Sequence, residues 1–596
     1  MGVGRRIFCC AGISFPPPPI CRNLRAMRML KKIVKVFIIS VLVLLGIIIL
    51  GTAGLFFYAW KVSDVKPPAI ADTTVLTHPV TVTDSTFRYI DDSWMHKNRY
   101  GLYEFYANGN AFERGARIGR LTREEMEYQE QAFTEQIRAM IPSEKYLKFL
   151  RYIVGFMNRD LPEHVTEEYK EEIYGTSFSV NHKFDWIGTP YARQLNYHAA
   201  HDIGHALQNM MLVGCTSFAA WGPASADGSL ILGRNFDFWV GDKFAERKIV
   251  GFIEPDQGHK FMYVTWGGFL GVVSGMNDQG LTVTINAAKS GIPTGAATPV
   301  SLVAREVLQY AGNIQEAIAI AHQRKMFVSE SFMIGSARDK KAVIIEKTPD
   351  TLDVYEAPGD VLLCANHYQS KLLKNQDKNL IQMKESASVY RYERLQQLVQ
   401  QQEGLTPVKA AQILRDRGGL NGADIGNGNE KALNQLIAHH SVIFQPEQLK
   451  VWVSSNPWQL GTYVCYDLHK VFALKGLKQD REIADTVYNI PADTFLRTPA
   501  YADFVRFRQL KHEVMQHKTV TPEALVQLNP EYYDAWRLAG DAAMQLHQWS
   551  LAQKYYQTAL TKEIATVPER RNIEEKLRKL AQMFEDSYGR SKNAGN

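Results

Sequence analysis

The 596-residue chain has few cysteines, no acidic residue near its amino terminus and one long segment without any charge. Three of its six cysteines lie within the first 21 residues, so the chain is not a disulfide scaffold. The others are Cys215, Cys364 and Cys465. Three is an odd number, which in an exported chain indicates a free thiol with a function. The alternative is that all three are small buried apolar side chains.

Residues 1–35 contain no acid and eight basic residues. The net charge of +6 therefore arises there, and the rest of the chain carries −2, which is +6 minus eight. A chain with this balance has no general electrostatic affinity for nucleic acid, and we expect no nucleic-acid partner.

Residues 36–60 form a run of 25 residues without charge, long enough to cross a bilayer. The basic block before it predicts a cytoplasmic amino end and a catalytic part outside the cytoplasm, on the periplasmic face of a bacterial-type inner membrane. A cleaved signal peptide is the competing interpretation. The length of the run and its aromatic end favour a retained single-pass anchor.

Short strand-like runs separated by turn pairs follow Cys215, with helical stretches grouped between them. This pattern predicts an α+β fold rather than a wound parallel sheet. Pro67 and Pro68 predict an extended linker. The predicted segments are a linker at 61–99, a helical region at 100–214, a catalytic core at 215–480 and a helical tail at 481–596.

The tail contains one helix pair with the spacing of a tetratricopeptide repeat, including Trp536, Gly540 and Tyr556. An ordinary helical hairpin fits equally well. One such pair cannot bury its own apolar face, so we expect it to pack on the core or on neighbouring helices. The tail is also a candidate binding site for a protein partner.

Cys215 follows Gly214 at the start of a predicted strand. In a papain-like site the cysteine would instead lie at the start of a helix. A thiol needs a base to become nucleophilic. If the peptide bond before Cys215 were cut, the new α-amino group, with an ordinary pKa of about 7.7–8.0, would be such a base. The small, flexible Gly214 suits a bond that rearranges to a thioester.

Arg234 and Asp237 lie 19 and 22 residues after Cys215, across a hairpin with a turn at Asp227-Gly228. The hairpin should bring them close to the cysteine. The guanidinium would lower the pKa of the thiol, and the carboxylate would orient the amine. A structural Arg–Asp pair closing a hairpin is the alternative.

These residues belong to an ordered set of motifs: GCTSF, ADGSLILGRNFDF, GMNDQGLTVTIN, CANH, SVYRYERL and YVCYDL. The set, from Gly214 to Leu468, resembles the cysteine amino-terminal-nucleophile (Ntn) hydrolases. It is most similar to the penicillin acyltransferase type (acyl-CoA:6-aminopenicillanate acyltransferase), which is related to choloylglycine hydrolases and penicillin V acylases. The resemblance implies a four-layer αββα sandwich, self-cleavage before Cys215 and no cofactor or metal.

The resemblance also assigns site residues. Cys215 matches the nucleophile, and Arg234 and Asp237 match the pair that flanks it. Asn286 resembles the asparagine that helps to form the oxyanion hole, and Asn366 the second asparagine near the nucleophile. Arg391 matches the distal arginine, with Arg394 as a competitor.

Three alternatives remain open at this stage. His198, His201 and His205 have the helical spacing of a zinc site, although no accompanying glutamate base is present. His367 is a candidate conventional base for Cys215 in an uncleaved Cys–His hydrolase. An inactive membrane-anchored scaffold that binds a protein through its tail is the third.

The sequence thus predicts a membrane-anchored cysteine amidohydrolase or acyltransferase. It would cleave a linear amide of a small N-acyl substrate through an acyl-Cys215 intermediate, and its two self-cleaved chains would stay associated. Turn chemistry at strand ends is the alternative role of Asn286 and Asn366.

Overall fold

The computed structural model describes residues 19–63, 65–206, 212–289 and 296–593. They fall into two compact units, Met1–Val62 and Ser63–Asn596. The first unit is the helix α1, Pro19–Val62, and residues 1–18 of the predicted basic segment lie outside the described residues. Met29–Val62 reaches a mean hydropathy of 3.2 and is long and apolar enough to cross a membrane, a property shared by anchors and signal sequences.

The second unit contains sixteen of the α-helices in the described part of the chain. They are α2 (Ala111–Leu121), α3 (Arg123–Met140), α4 (Glu144–Met157), α5 (Glu167–Ser177), α6 (Pro190–Ala206), α7 (Val300–Tyr310), α8 (Ile314–Gln323), α9 (Asp377–Glu385), α10 (Ser388–Gln400), α11 (Pro407–Leu414), α12 (Leu468–Phe472), α13 (Pro499–Met515), α14 (Pro522–Leu528), α15 (Tyr533–Gln545), α16 (Trp549–Thr561) and α17 (Val567–Asn593).

Its strands are short and most are buried along their length. They are β1 (Thr81–Val82), β2 (Phe87–Ile90), β3 (Ser93–Lys97), β4 (Tyr103–Gly109), β5 (Leu212–Val213), β6 (Thr216–Ala220), β7 (Ile231–Phe236), β8 (Phe238–Trp239), β9 (Ile249–Pro255), β10 (Phe261–Thr265), β11 (Ser274–Asn277), β12 (Leu281–Ala287), β13 (Glu330–Ser336), β14 (Lys341–Lys347), β15 (Leu352–Tyr355), β16 (Val361–Cys364), β17 (His440–Gln445), β18 (Lys450–Ser454) and β19 (Tyr463–Asp467).

These strands form two large sheets and one short two-stranded ladder. The larger sheet has eleven strands in the order β1-β2-β3-β4-β9-β10-β11-β12-β13-β14-β15, and the second has six in the order β16-β6-β7-β17-β18-β19. Neighbours are antiparallel, except that β4 pairs with β9 in parallel. Mostly antiparallel sheets with helices grouped between runs of strands make an α+β fold, as predicted.

Three buried clusters hold the sheets and their helices together. One joins β9–β14 to α7 and α8, and includes Phe332 and Val303. A second contains side chains from both sheets, such as Val250 and Leu232. The third joins the six-stranded sheet to α10 and α11 through Phe218 and Leu395. Alternation along β7 explains this division, because Leu232 faces the other sheet while Ile231 faces the helices.

Residues 61–99 differ from the predicted linker. Residues 65–72 lack regular structure, but β1, β2 and β3 follow, each paired with the next. β3 then pairs with β4, which itself lies in the predicted helical region. Seven residue pairs then join β4 to β9. The eleven-stranded sheet is therefore built from residues on both sides of Cys215. Phe105 is buried where β4 pairs with β9, and the buried Trp94 donates to the carbonyl of Leu474. Both contacts lie well over a hundred residues away, so local sequence patterns do not reveal them.

The tail helices α13–α17 share a core of their own, which includes Phe507, Leu538 and Tyr556. Helices α15 and α16 cross closely, because a Cβ atom at Gly540 would lie 2.4 Å from the ring of Tyr556. The same cluster contains Leu436, from the loop that precedes β17. The tail therefore packs on the core, which is one of the two arrangements expected from the sequence.

Candidate active site

The site lies where β6 and β7 meet at one end of the six-stranded sheet. The hairpin register pairs Ser217 with Arg234 and Thr216 with Asn235, so the end of β7 lies beside Cys215. The amide of Gly214 donates to the carbonyl of Asp237 at 3.0 Å, which closes the end of the hairpin. The predicted proximity of the cysteine, the arginine and the aspartate is therefore present in the structure.

Cys215 is buried, with 1% of its surface exposed. Its Sγ lies 3.6 Å from a guanidinium nitrogen of Arg234. Burial raises the pKa of the Cys215 thiol to about 11, although the Arg234 charge acts in the opposite direction. In this uncut chain the thiol is therefore protonated and needs a base to react.

The two terminal nitrogens of the Arg234 guanidinium are held by several hydrogen bonds. It donates to the carbonyl of Val273 at 3.0 Å, to Oγ of Ser274 at 2.5 Å and to the carbonyl of Ile285, and it lies over the ring of Phe236. These contacts hold the guanidinium between the two sheets. They leave one of its nitrogens facing Cys215.

Asp237 is a buried carboxylate without a hydrogen-bond partner for either side-chain oxygen among the described residues. Burial raises the pKa of Asp237 to about 7, and the charges of Arg391 and Arg234 oppose the shift. A buried acceptor with no donor is costly. A newly formed amine at Cys215 would supply that donor.

Asn286 and Asn366 both reach the inter-sheet space, and each side-chain nitrogen donates one of its two N–H groups to a backbone carbonyl. Asn286 accepts from Ser217 at 2.7 Å and donates to the carbonyl of Ala365 at 3.3 Å. Asn366 donates to the carbonyl of Ala287 at 2.9 Å. The two asparagines thus tie β12 and β16 together around the site.

The structure distinguishes Arg391 from Arg394. Arg391 donates to Oδ1 of Asn366 at 2.6 Å and to the carbonyl of Glu430 at 2.8 Å, and its charge acts on Asp237. Arg394 forms a two-point ion pair with Asp416. Of the two arginines, Arg391 is the one that contacts another predicted site residue.

The histidines of the alternative mechanisms have other partners. Nδ1 of His367 lies 2.8 Å from Oγ of Ser388, and burial lowers the pKa of His367 to about 4. Both ring nitrogens of His198 bond to backbone groups, those of Gln194 and Leu270. The side chains of His201 and His205 lie outside the described residues.

Sequence reasoning missed four residues around this centre. Oγ of Ser274 bonds to Arg234 and lies 2.8 Å from Nε2 of His440, so the two residues continue the support of the guanidinium. Glu330 is buried with neither carboxylate oxygen bonded to a described residue, and burial raises its pKa well above the ordinary value. The fourth, Gln435, donates from Nε2 to the carbonyl oxygen of Gly214 at 2.7 Å.

An aromatic cavity of about 50 Å³ lies near the site. Phe238 of β8, Phe244 and the stacked pair Trp266–Phe269 form one wall. Phe133 of α3 contributes to the other, so helices from before Cys215 complete the cavity. Aromatic side chains make up much of the lining, which also includes Gln129, Glu130 and Gln194.

The site thus brings together a buried thiol, a guanidinium and a carboxylate without a hydrogen-bond partner among the described residues. Residues 224–456, less than half of the chain, match the model of the family described as acyl-coenzyme A:6-aminopenicillanic acid acyl-transferase. The match begins nine residues after Cys215 and covers the other five predicted site residues.

Two relatives are similar over longer stretches. An uncharacterised protein of Archaeoglobus fulgidus is 24% identical over 397 residues, which cover 60% of this chain and 65% of that protein. Protein dcd1B of Dictyostelium discoideum is 23% identical over 295 residues, or 46% of this chain and 55% of that protein. The chain thus matches less than two thirds of the length of either relative.

Solved structures with partial similarity include an N-acylethanolamine-hydrolyzing acid amidase ortholog of Caenorhabditis elegans. It is 18% identical with a TM-score of 0.28, and the match covers 39% of this chain and 93% of that one. A single-residue variant of conjugated bile acid hydrolase from Clostridium perfringens is 13% identical with a TM-score of 0.30, covering 43% of this chain and 93% of that one.

Proposed function

We propose that the protein is a cysteine amidohydrolase or acyltransferase that cuts itself between Gly214 and Cys215 and then uses Cys215 as an amino-terminal nucleophile. The observation that carries this proposal is the arrangement of the Cys215 thiol, the Arg234 guanidinium and the unpartnered Asp237 carboxylate at one end of β7. After the cut, Asp237 accepts hydrogen bonds from the new α-amine and holds it beside the thiol.

In turnover the α-amine takes the proton of the thiol, and Sγ of Cys215 forms a bond to the carbonyl carbon of the substrate amide. The oxyanion collapses, the C–N bond breaks and the departing amine takes the proton. Water or an acceptor amine then attacks the acyl-cysteine, and the C–S bond breaks. Asn286 and Asn366 are the proposed oxyanion donors for the substrate. No cofactor is required for these steps.

The substrate class is a small N-acyl amide, with the acyl part in the aromatic cavity between Trp266 and Phe133. The family description, an acyl-coenzyme A-dependent acyl transfer to an amine, supports acyl transfer beside hydrolysis. The three clusters support a four-layer αββα order, with the two sheets as the inner layers.

The anchored, periplasmic arrangement is also part of the proposal. It rests on the length of α1 and on the basic residues that precede it. The 214-residue part before the cut and the 382-residue part after it (596 minus 214) would remain associated, because β4 of the first part continues the sheet of the second.

The competing Cys–His mechanism has less support, because Nδ1 of His367 lies against Ser388 and burial disfavours its protonation. An inactive scaffold has less support because the site residues occur together with a family match. A tail that binds a separate protein partner remains a proposal for the exposed surface of α13–α17.

The test is the intact mass and amino-terminal sequence of the detergent-purified full chain, beside a Cys215→Ala variant. We expect two wild-type fragments, one that ends at Gly214 and one that begins at Cys215, and an unbroken variant. An unbroken wild-type chain would contradict self-processing and would favour the Cys215–His367 pairing.

A further inference from the structure

Gln435 contacts the peptide bond that the proposed maturation breaks. Its Nε2 donates to the carbonyl oxygen of Gly214 at 2.7 Å, across 221 residues of sequence, and both residues are buried. The scissile carbonyl is therefore already bonded to an amide donor in the uncut chain. Polarisation of this kind is what an attacking thiol requires.

The two asparagines assigned to the oxyanion hole do not serve this carbonyl. The Nδ2 groups of Asn286 and Asn366 donate to the carbonyls of Ala365 and Ala287. Among the described residues, Gln435 is the side chain whose donor meets the Gly214 oxygen. Self-cleavage and substrate turnover therefore have separate candidates for the oxyanion donor.

The loop around Gln435 is rigidly held. Oδ1 of Asn434 accepts from the amide of Leu436 at 3.0 Å, and Leu436 has a φ of +56°, a left-handed conformation that is rare for a leucine. The carbonyl of Leu436 accepts from Arg508 of α13 at 2.9 Å. Strain of this kind persists where surrounding contacts fix the geometry, as at functional sites.

We propose that Gln435 is the oxyanion donor for the self-cleavage of Gly214–Cys215, an inference that rests on the proposed Ntn mechanism. Sγ of Cys215 attacks the carbonyl carbon of Gly214 while the Asp237 carboxylate takes the thiol proton. The resulting oxyanion stays bonded to Nε2 of Gln435.

The C–N bond then breaks, and the nitrogen of Cys215 leaves as an amine with the proton from Asp237. Water next attacks the thioester, the C–S bond breaks, and Gly214 ends in a carboxylate with release of one proton. All atoms come from the chain and one water molecule.

The absence of a side chain at residue 214 fits the proposed role of Gln435 as the donor to the Gly214 carbonyl. A Cβ atom there would lie 2.4 Å from Nε2 and 2.8 Å from Oε1 of Gln435. An alanine would thus push the amide away from the carbonyl it donates to. Glycine before the nucleophile is required by the donor, in addition to any need for flexibility.

The experiment follows cleavage of the pulse-labelled full chain made by cell-free translation into nanodiscs. Gln435→Met keeps the length of the side chain and removes the donor, and Gly214→Ala displaces it. Gln448→Met, on a half-buried glutamine bonded to Asp227, and Gly359→Ala, at a site with open space, are the matched controls. Hydroxylamine, which cleaves thioesters but not amides, is added to parallel samples.

We expect Gln435→Met to slow cleavage by about 100-fold or more, as for loss of one oxyanion donor, with no rescue by hydroxylamine because the thioester is not formed. The control variants should cleave at the wild-type rate. A cooperative thermal melt confirms that each variant is folded. If Gln435→Met does not fold, the cleavage rate of Gly214→Ala tests the role of the donor instead.

Two results would overturn the inference while leaving the proposed function intact: cleavage of folded Gln435→Met within about threefold of wild type, or a Gln435→Met thioester that hydroxylamine releases. A wild-type chain that is not cut would overturn the proposed function itself, and with it this role of Gln435.

Discussion

At the scale of single residues, the ionisation of Asp237 can be tested directly by changing the pH. Its carboxylate is buried without a partner among the described residues, and burial raises its pKa to about 7. An unfolded chain would hold this carboxyl at a pKa of about 3.9. Ionisation of Asp237 therefore lowers the free energy of unfolding of the uncut protein, by an amount that depends on pH.

A raised carboxyl pKa favours the folded state below the unfolded value, and that advantage is lost as the pH rises through the folded value of about 7. In a Cys215→Ala background, which stays uncut, we expect Asp237→Asn to increase the free energy of unfolding at pH 8 by about 3 kcal/mol. At pH 4 the substitution should have little effect. Urea titration at both values measures this, and equal effects at pH 4 and pH 8 would contradict the assignment.

The residues of the site differ in how far the sequence could predict them. Cys215, Arg234 and Asp237 lie within one hairpin, so turn chemistry and strand register suffice to bring them together. The sequence favours Arg391 over Arg394 only weakly, and the two differ clearly only in their partners, which are Asn366 for Arg391 and Asp416 for Arg394. Gln435 gave only a weak signal, a polar pair in the apolar run ALNQLIA.

At the scale of elements, the crossing of α2 and α5 is unusually close. A Cβ atom at Gly115 would lie 1.9 Å from the backbone oxygen of Glu172, and one at Gly175 would lie 2.4 Å from the backbone oxygen of Phe112. The obstacle at each position is backbone, which cannot rotate away. The two glycines thus set the distance between the helices.

We expect Gly115→Ala in the Cys215→Ala background to lower the free energy of unfolding by about 3 kcal/mol or more, as overpacking that separates two helices does. Gly359→Ala, which meets nothing within 4 Å, is the control. Denaturant unfolding followed by circular dichroism measures both. Similar midpoints for the two variants would show that α2 and α5 have more room than the contacts imply.

The elements after Cys215 were largely predictable, because β12, β13 and β14 are apolar runs between turn residues. The elements before it were not. β2 and β3 are four and five residues long, and their place in the sheet depends on β4 and its parallel pairing with β9. Parallel pairs between distant segments leave no local pattern.

At the scale of the whole molecule, the parts before and after Cys215 share buried charges as well as a sheet. Oε2 of Glu172 in α5 accepts from Arg114 at 2.6 Å and from Arg305 of α7 at 2.7 Å. All three side chains are buried, and the arginines lower the pKa of Glu172 despite its burial. Such a group is barely screened by salt.

If the chain is cut as proposed, the two pieces should therefore stay associated during size-exclusion chromatography in 1 M sodium chloride. Glu172→Gln leaves two buried guanidinium groups with less compensation, and we expect it to weaken the assembly by about 3 kcal/mol. Lys148→Gln, at an exposed ion pair with Glu144, should change nothing measurable. Separation of the wild-type pieces by salt alone would contradict this view of the interface.

The tail contributes to the site through Arg508, which donates to the carbonyl of Leu436 beside Gln435. We expect Arg508→Met to slow self-cleavage by several-fold, because it loosens the loop without removing the donor. Lys511→Met on the same helix, whose partner is Asp534, is the matched control. Cleavage time courses of the two variants give the comparison, and equal rates would place the tail outside the maturation step.

The contact between Gln435 and Gly214 also has a consequence for the timing of biosynthesis. Residue 435 emerges from the ribosome 221 residues after residue 214, and its loop is held by a helix that is made later still. If cleavage needs that contact, a chain that ends before residue 435 cannot be cut, and a cut chain is one in which Gln435 has already docked beside Gly214. The broken peptide bond would then be a permanent record that folding had brought these two residues together.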